Sequence, residues 1–220
     1  MRNLFKKDTF IKKVSFFVQI CITMKKIIFV LILFGFSKIY SQSSLSARLL
    51  TVSTHPFANK NLPLHQNKID NKGYLTFEPG LILSYDRFLA KKISFRISTA
   101  VMNDRLNTLA GYSQIMLKYK MLKYYKHSLF LGFGPSAFYE TDKSDDRNWV
   151  NEDNYKLSGN TLYKIGWLSG IIEYNYYITK KMDFVLTLNH THSRSVALSL
   201  GIRFDLPDPG GKGCDCPSFR

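Results

Sequence analysis

Apolar and polar residues alternate along most of the chain beyond residue 42. The alternation is clearest in Ser195–Leu206, where one face is apolar and the other is small or charged. The apolar face consists of Val196, Leu198, Leu200, Ile202, Phe204 and Leu206, and the other of Ala197, Ser199, Gly201, Arg203 and Asp205. A period of two residues is that of a β-strand with two unlike faces. The segment therefore predicts a strand with one face against lipid or a core.

Seven further segments show the same alternation. They are Leu45–Thr54, Tyr74–Tyr85, Ile93–Val101, Leu109–Tyr119, Ser128–Tyr139, Leu162–Ile178 and Met182–His192. The count is eight, and an even count places both chain ends on one side of a membrane, as in bacterial single-chain barrels. The sequence thus predicts an all-β fold, an eight-stranded antiparallel transmembrane β-barrel.

The connections between these segments differ in length in a way that indicates membrane orientation. Those at residues 87–92, 120–127 and 179–181 are short, whereas those at 55–73 and 140–161 are long. Short periplasmic turns and longer outer loops are typical of outer-membrane barrels. The link at residues 192–194 is tight although it falls on the outer side. Aromatic residues near the segment ends are predicted to form girdles at the membrane interfaces: Tyr85, Phe138, Tyr139, Trp167, Tyr174 and Tyr176.

The opposite face of the strands carries charges of both signs. These residues are Glu78, Arg96, Lys118, Glu173, Arg203 and Asp205. The lumen of an eight-stranded barrel is filled by side chains, so we expect these charges to pair inside it, with Glu173 or Glu78 as the partner of Arg203. Such a lumen argues against a general diffusion pore. The alternative is a soluble lipocalin-like barrel whose apolar face points inward, and the uniformly apolar and aromatic faces disfavour it.

The N-terminal region has the order of an export signal. Lys25 and Lys26 precede an apolar stretch at residues 27–36 that is too short to span a bilayer as a helix, which needs about 20 residues. We therefore expect residues 24–41 to be a signal peptide cleaved after Ser41, and residues 1–23 to be an extension from an upstream start codon. The barrel would occupy residues 42–206.

Residues 207–220 are predicted to be a flexible tail. The tail contains Cys214 and Cys216. A disulfide within this C-x-C pair would close a small strained ring, so pairing between chains and a weak metal site both remain open.

Composition and charge add little to this interpretation. Aromatic residues make up 15% of the chain and the mean hydropathy is −0.13, consistent with interleaved rather than clustered apolar residues. Residues 42–220 contain 23 Lys/Arg and 15 Asp/Glu, a net charge of +8. Lysines occur in short turns such as Lys91-Lys92 and Lys180-Lys181, where water solvates them. The sequence has no nucleic-acid motif and none for a cofactor, so neither is expected as a partner.

The tightest polar cluster, at residues 189–195, is the candidate for chemistry. Alternation places His190 and His192 on the lipid-facing side. The cluster resembles the outer surface of lipid A deacylase barrels, which carry a His, a Ser two residues later and a distant Glu. The spacing departs from that pattern, because His192 follows His190 and Ser193 is out of step. We therefore interpret the cluster as a polar strand end, with His190, His192 and Ser193 as alternative catalytic candidates.

Other polar groups in the connections are interpreted as loop residues rather than as ligands of a metal or divalent cation. They include the single histidines His55 and His65 and the acidic run Glu140, Asp142, Asp145, Asp146, Glu152 and Asp153, whose spacing matches no EF-hand.

Ser199–Leu206 resembles the C-terminal recognition signal of outer-membrane barrels, although a tail follows it here. The chain as a whole resembles small outer-membrane barrels of the Bacteroidetes type. The resemblance implies a Gram-negative outer membrane, contact with its lipid, and the barrel assembly machinery as a partner during biogenesis. We expect a non-enzymatic role in envelope structure or in binding a ligand or partner through the outer loops, with no ligand identified. A lipid-modifying hydrolase and a narrow gated pore are the alternatives.

Overall fold

A computed structural model describes residues 42–56, 64–142, 155–191 and 195–206 of this protein. These residues form nine strands. The strands are β1 (Ser43–Thr54), β2 (Leu75–Ala90), β3 (Ile93–Asn103), β4 (Leu109–Tyr124), β5 (His127–Thr141), β6 (Lys156–Ser158), β7 (Thr161–Tyr177), β8 (Met182–His190) and β9 (Val196–Asp205).

Eight of these strands close into an antiparallel barrel. Each pairs with its sequence neighbours, β5 pairs with β7, and β1 pairs with β9 to complete the ring. The ninth, β6, is a three-residue strand that pairs only with the start of β7. The prediction of an eight-stranded antiparallel barrel is confirmed. Within the described ranges, no helix is long and apolar enough to cross a membrane.

The two faces of the barrel wall follow the alternation in the sequence. Leu81, Leu83 and Ile97 are about half exposed on the outer wall, whereas Arg96, Glu173 and Ser199 are fully buried inside. An apolar outer surface needs lipid around it, and a polar interior satisfies its own hydrogen bonds. The lipocalin-like alternative, with its apolar face inward, is therefore wrong.

One end of the barrel carries the start of β1, the end of β9 and three short turns, and we call it the periplasmic rim. β1 begins and β9 ends there, with Ser44 paired to Asp205. The opposite, outer end carries the connections from β1 to β2 and from β5 to β7. The short turns and the long connections thus lie at opposite ends of the barrel, and the names of the two ends follow the orientation that these lengths predict.

β2 and β4 run further toward the periplasmic rim than the sequence pattern predicted. β2 ends at Ala90 rather than Tyr85, and β4 at Tyr124 rather than Tyr119. The predicted links at 87–92 and 120–127 therefore shrink to two-residue turns, Lys91-Lys92 and Tyr125-Lys126. In β2 the alternation of buried and exposed residues continues beyond Tyr85, with Asp86 and Phe88 both buried on the inner face. The sequence pattern missed this extension because an aromatic residue, Phe88, stands where a polar inner residue was expected.

A bulge in β7 reverses which residues face outward. Gly134 pairs with Ser169 and Ser136 with Gly166, so β7 contains one extra residue at this point. Trp167 and Leu168 consequently both lie on the outer surface, 83% and 70% exposed. The bulge explains how Trp167, at an odd position, shares the outer wall with Tyr174 and Tyr176.

The prediction that Phe138 belongs to an outer aromatic girdle is wrong. Adjacent residues of an extended strand face opposite ways, and here Tyr139 takes the outer face while Phe138 is buried. The Phe138 ring packs inside the barrel against Tyr155, with ring centroids 5.9 Å apart.

Candidate functional site

The middle of the lumen holds a cluster of buried ions. Asp86 and Arg96 are directly opposite on β2 and β3, so the guanidinium faces the carboxylate across one strand pair. Arg96 donates from Nε to Asp86 Oδ1 at 2.9 Å and from Nη2 to Oδ2 at 2.6 Å. Lys118 Nζ on β4 lies 3.2 Å from Asp86 Oδ1. A bidentate arginine with a second cation satisfies this carboxylate inside the barrel.

Glu173 on β7 is the centre of this cluster. Arg96 Nη1 donates to its Oε2, and Lys118 Nζ donates to Oε1 at 2.6 Å. Arg48 and Arg203 each approach a Glu173 oxygen at 3.9 Å. One fully buried carboxylate thus has four cations within 4 Å. Charges so far from water are stable only when paired and hydrogen-bonded.

Arg203 has a different principal partner from those expected. Its Nη2 donates to Asp183 Oδ2, and Asp183 is its cross-strand neighbour on β8. Glu173 is a secondary partner at 3.9 Å. Glu78 lies at the outer end of the barrel and contacts His55 instead.

Between the ionic cluster and the outer end, the lumen is filled by neutral polar groups and then by apolar side chains. Arg48 donates to Ser84 Oγ and Thr187 Oγ1 at 2.5 and 2.9 Å. Asn189 Nδ2 donates to the Tyr112 hydroxyl at 2.8 Å. A group of buried apolar residues follows, comprising Leu50, Ile82, Ala100, Met102, Ala110, Tyr112, Phe138, Tyr155, Leu162 and Ala197. The lumen is therefore filled in layers, ionic at the middle and apolar near the outer end.

A second polar cluster lies at the outer mouth. His55 Nε2 is 2.8 Å from Glu78 Oε1 and 2.9 Å from Ser53 Oγ. A Ser-His-acid relay needs the hydroxyl and the carboxylate on opposite ring nitrogens, but here both contact Nε2. Arg105 Nη1 faces the other nitrogen, Nδ1, at 3.5 Å. The three residue types are therefore present without the geometry that would activate a serine.

His65 holds the described part of the first outer loop against this mouth. Its ring lies 5.7 Å from that of His55, and its Nδ1 donates to the Gly73 carbonyl at 2.7 Å. Burial lowers the pKa of His65 to about 4, so the ring is neutral near pH 7. The sequence analysis interpreted both histidines as loop residues, and both lie outside the strands. The structure adds that both are buried and that their rings meet edge to face at the mouth.

Of the predicted catalytic candidates, the structure describes only His190. It is exposed on the outer face of β8, as alternation predicted, and its Nδ1 donates to the Ser195 carbonyl at 3.2 Å. His192 and Ser193 lie outside the described residues, as do Cys214, Cys216 and the signal segment. His190 is thus bonded to main chain rather than to a serine hydroxyl.

The structure also identifies interior residues that the sequence interpretation did not assign to the lumen network. Asp86 and Asp183 accept from Arg96 and Arg203, and Arg48, Gln114 and Asn189 extend the network. The signal that could have found them is the alternation itself. Asp86 is in phase with Ser84, and Asp183 is in phase with Thr187 and Asn189.

Among the described residues, no group of three or more His, Cys, Asp or Glu side chains could hold a metal ion. Two cavities lie at the ends of the lumen. The outer one is lined by residues that include His55, Glu78 and Arg105, and the other by residues that include Phe88, Lys120 and Arg203. The ionic cluster lies between them.

A closed barrel with an apolar outer wall and an ion-filled lumen defines an outer-membrane β-barrel protein, located in the outer membrane. A family model described as "Type IX secretion system membrane protein PorP/SprF" matches residues 22–209. The chain belongs to this family. No curated protein matches the sequence.

Solved structures of several small barrels are similar to this chain. The N-terminal β-barrel domain of Pseudomonas aeruginosa OprF shares 11% identity, with a TM-score of 0.46, over 76% of this chain and 99% of that domain. Neisserial surface protein A (NspA) shares 11% identity, with a TM-score of 0.47, over 76% and 97% of the two chains. A de novo designed transmembrane β-barrel shares 7%, with a TM-score of 0.44, over 75% and 95%.

Proposed function

We propose that this protein is a non-enzymatic, closed barrel that serves type IX secretion by binding a protein partner through its outer loops. The ionic cluster around Glu173 is the observation that supports a lumen closed to solutes. Fully buried Arg96, Lys118 and Glu173 meet across the lumen from three different strands. Moving a hydrated solute past them would require separating buried ion pairs, which costs several kcal/mol for each charge left unpaired.

The outer end supports the binding of a partner. The connection between β5 and β6, residues 142–155, contains five acidic and two basic residues. Long loops on a rigid scaffold are common positions for binding surfaces. The family to which the chain belongs is described as a membrane protein of type IX secretion, which supports a protein rather than a small molecule as the partner.

The purified barrel is expected to show no stepwise conductance in a planar lipid bilayer. The paired ions leave no hydrated path through the middle of the lumen, and a general diffusion porin inserted in the same membrane is the positive control. Discrete openings at low voltage would contradict the closed state and would favour a narrow pore.

Replacing residues 143–154 with a Gly-Ser linker of equal length is expected to reduce secretion through the type IX pathway in the source bacterium as strongly as deleting the gene. The linker removes the acidic side chains of the outer loop but leaves the barrel strands intact. Mass spectrometry of surface and supernatant proteins measures secretion, and heat-modifiable gel mobility verifies that the variant barrel is folded. Normal secretion by a folded linker variant would contradict binding through this loop.

A further inference from the structure

The three short turns of the periplasmic rim, together with the end of β4, carry six exposed lysines. They are Lys91 and Lys92 between β2 and β3, Lys123 and Lys126 around the β4–β5 turn, and Lys180 and Lys181 between β7 and β8. These turns contain no Asp or Glu. The sequence shows lysine pairs in separate turns, and only the barrel topology brings all of them to one end.

Backbone hydrogen bonds fix these turns to the barrel. Lys120 N donates to the Lys92 carbonyl at 2.7 Å, and Tyr177 N donates to the Lys126 carbonyl at 2.9 Å. Asp205 N donates to the Lys181 carbonyl at 2.9 Å. Each turn is thus tied to the next strand around the ring. The six ammonium groups are distributed around the rim rather than clustered at one point.

Interior carboxylates near this end do not neutralise the exposed lysines. Asp86 and Asp183 are completely buried inside the barrel, where they pair with Arg96 and Arg203. The half-buried Asp205 at the end of β9 also lies at this rim, and one carboxylate leaves six exposed lysines with a large excess of positive charge. A surface of this kind fits an anionic partner.

Exposed aromatic side chains adjoin the lysines on the lipid-facing wall. Tyr119 and Tyr176 are 42% and 36% exposed, and Lys92 Nζ lies 5.9 Å from the centre of the Tyr119 ring. Tyr124 and Tyr125, between Lys123 and Lys126, are 81% and 80% exposed. Tyrosine and lysine together are typical of the level of lipid headgroups, where a ring meets the apolar layer and an ammonium meets phosphate.

Tyr125 is the first residue of the two-residue turn between β4 and β5. Its φ of 51° is the left-handed conformation that such hairpin turns use at this position. The Tyr125 ring is 80% exposed at the rim.

We propose that the periplasmic rim binds anionic phospholipid headgroups of the inner leaflet of the outer membrane. The lysines supply the charge, and the tyrosines bury their rings at the boundary of the acyl chains. Each lysine near an anionic surface strengthens binding by about fivefold. Because several lysines act together, the rim discriminates between anionic and zwitterionic lipids.

The test uses the purified barrel in detergent, titrated with phosphatidylglycerol or phosphatidylcholine, with bound lipids counted by native mass spectrometry. The parent protein is expected to retain phosphatidylglycerol at least tenfold more strongly than phosphatidylcholine. The K91Q/K92Q/K123Q/K126Q/K180Q/K181Q variant is expected to lose this preference. Heat-modifiable gel mobility identifies folded protein before any comparison is made.

Two matched variants distinguish lipid binding by the rim lysines from a general effect of removing positive charge. K123Q/K126Q removes two lysines from the rim, and K68Q/K72Q removes two exposed lysines from the outer end. The first is expected to reduce phosphatidylglycerol retention several-fold and the second to leave it unchanged. Equal reductions by both pairs would overturn the proposal. Equal retention of the two lipids by the parent would also overturn it and would favour an acidic periplasmic protein as the occupant of the rim.

Discussion

An Arg96→Met variant is expected to unfold at markedly lower urea concentration than the parent barrel in detergent, with a loss of about 3–5 kcal/mol in the free energy of unfolding. The Arg96 guanidinium is fully buried and donates to both Asp86 oxygens and to Glu173. Methionine fills similar space but carries no charge. The buried carboxylates of Asp86 and Glu173 would then share Lys118 as the cation within hydrogen-bond distance. The penalty comes from the uncompensated charge rather than from lost volume.

Two further variants test this explanation. In Asp86→Asn/Arg96→Met one of the two carboxylates is neutral and Lys118 still pairs with Glu173, so the double variant is expected to be more stable than Arg96→Met alone. Arg87→Met changes the neighbouring arginine on the outer face and is expected to shift stability by less than about 0.5 kcal/mol. If Arg96→Met were as stable as Arg87→Met, the buried network would not be a source of stability.

A Gly201→Ala variant is expected to weaken the closure of the barrel by about 2–3 kcal/mol. Gly201 on β9 pairs directly with Arg48 on β1, where the two ends of the sheet meet. A Cβ at this position would lie 2.1 Å from the Ala47 carbonyl oxygen and 2.5 Å from the Arg48 Cα. These are backbone atoms of the partner strand, so the clash can be relieved only by moving β1 and β9 apart.

Gly170 provides the control for this prediction. A Cβ there would meet nothing closer than the Gly132 carbonyl oxygen at 4.0 Å. Gly170→Ala is therefore expected to leave urea unfolding and heat-modifiable gel mobility unchanged, whereas Gly201→Ala lowers the unfolding midpoint and the folded fraction. Equal behaviour of the two variants would mean that β1 and β9 accommodate a methyl group without separating.

The barrel could be predicted from the sequence because its determinant is local. A membrane-spanning strand must present apolar side chains to lipid and may present polar ones to the lumen, so each strand carries the pattern within its own residues. Ser195–Leu206 shows this in one stretch, and β9 occupies Val196–Asp205 with the predicted faces. The strand ends were less predictable. Phe88 breaks the polar pattern of the inner face of β2, and the β7 bulge changes phase at Trp167 without a sequence signal.

The pairing of interior charges depended on the tertiary structure. Alternation indicates that Arg203 and Glu173 face inward, but partner choice depends on strand order, stagger and height along the barrel axis. Asp183 lies directly across from Arg203 because β8 and β9 pair in that register. Glu78, which shares the inner face, lies at the outer end and contacts His55. The same dependence applies to His55 and His65, whose contact requires His65 to lie against the mouth of the barrel.

The sequence by itself determined that the chain forms strands, how many cross the membrane, and which face of each is apolar, because these follow from the period of two and the demands of lipid. The tertiary structure alone decided which ions pair, where the barrel closes on Gly201, and that six lysines from three separate turns share one rim. The physical reason is that contacts between distant residues depend on register and closure, which a local pattern does not contain.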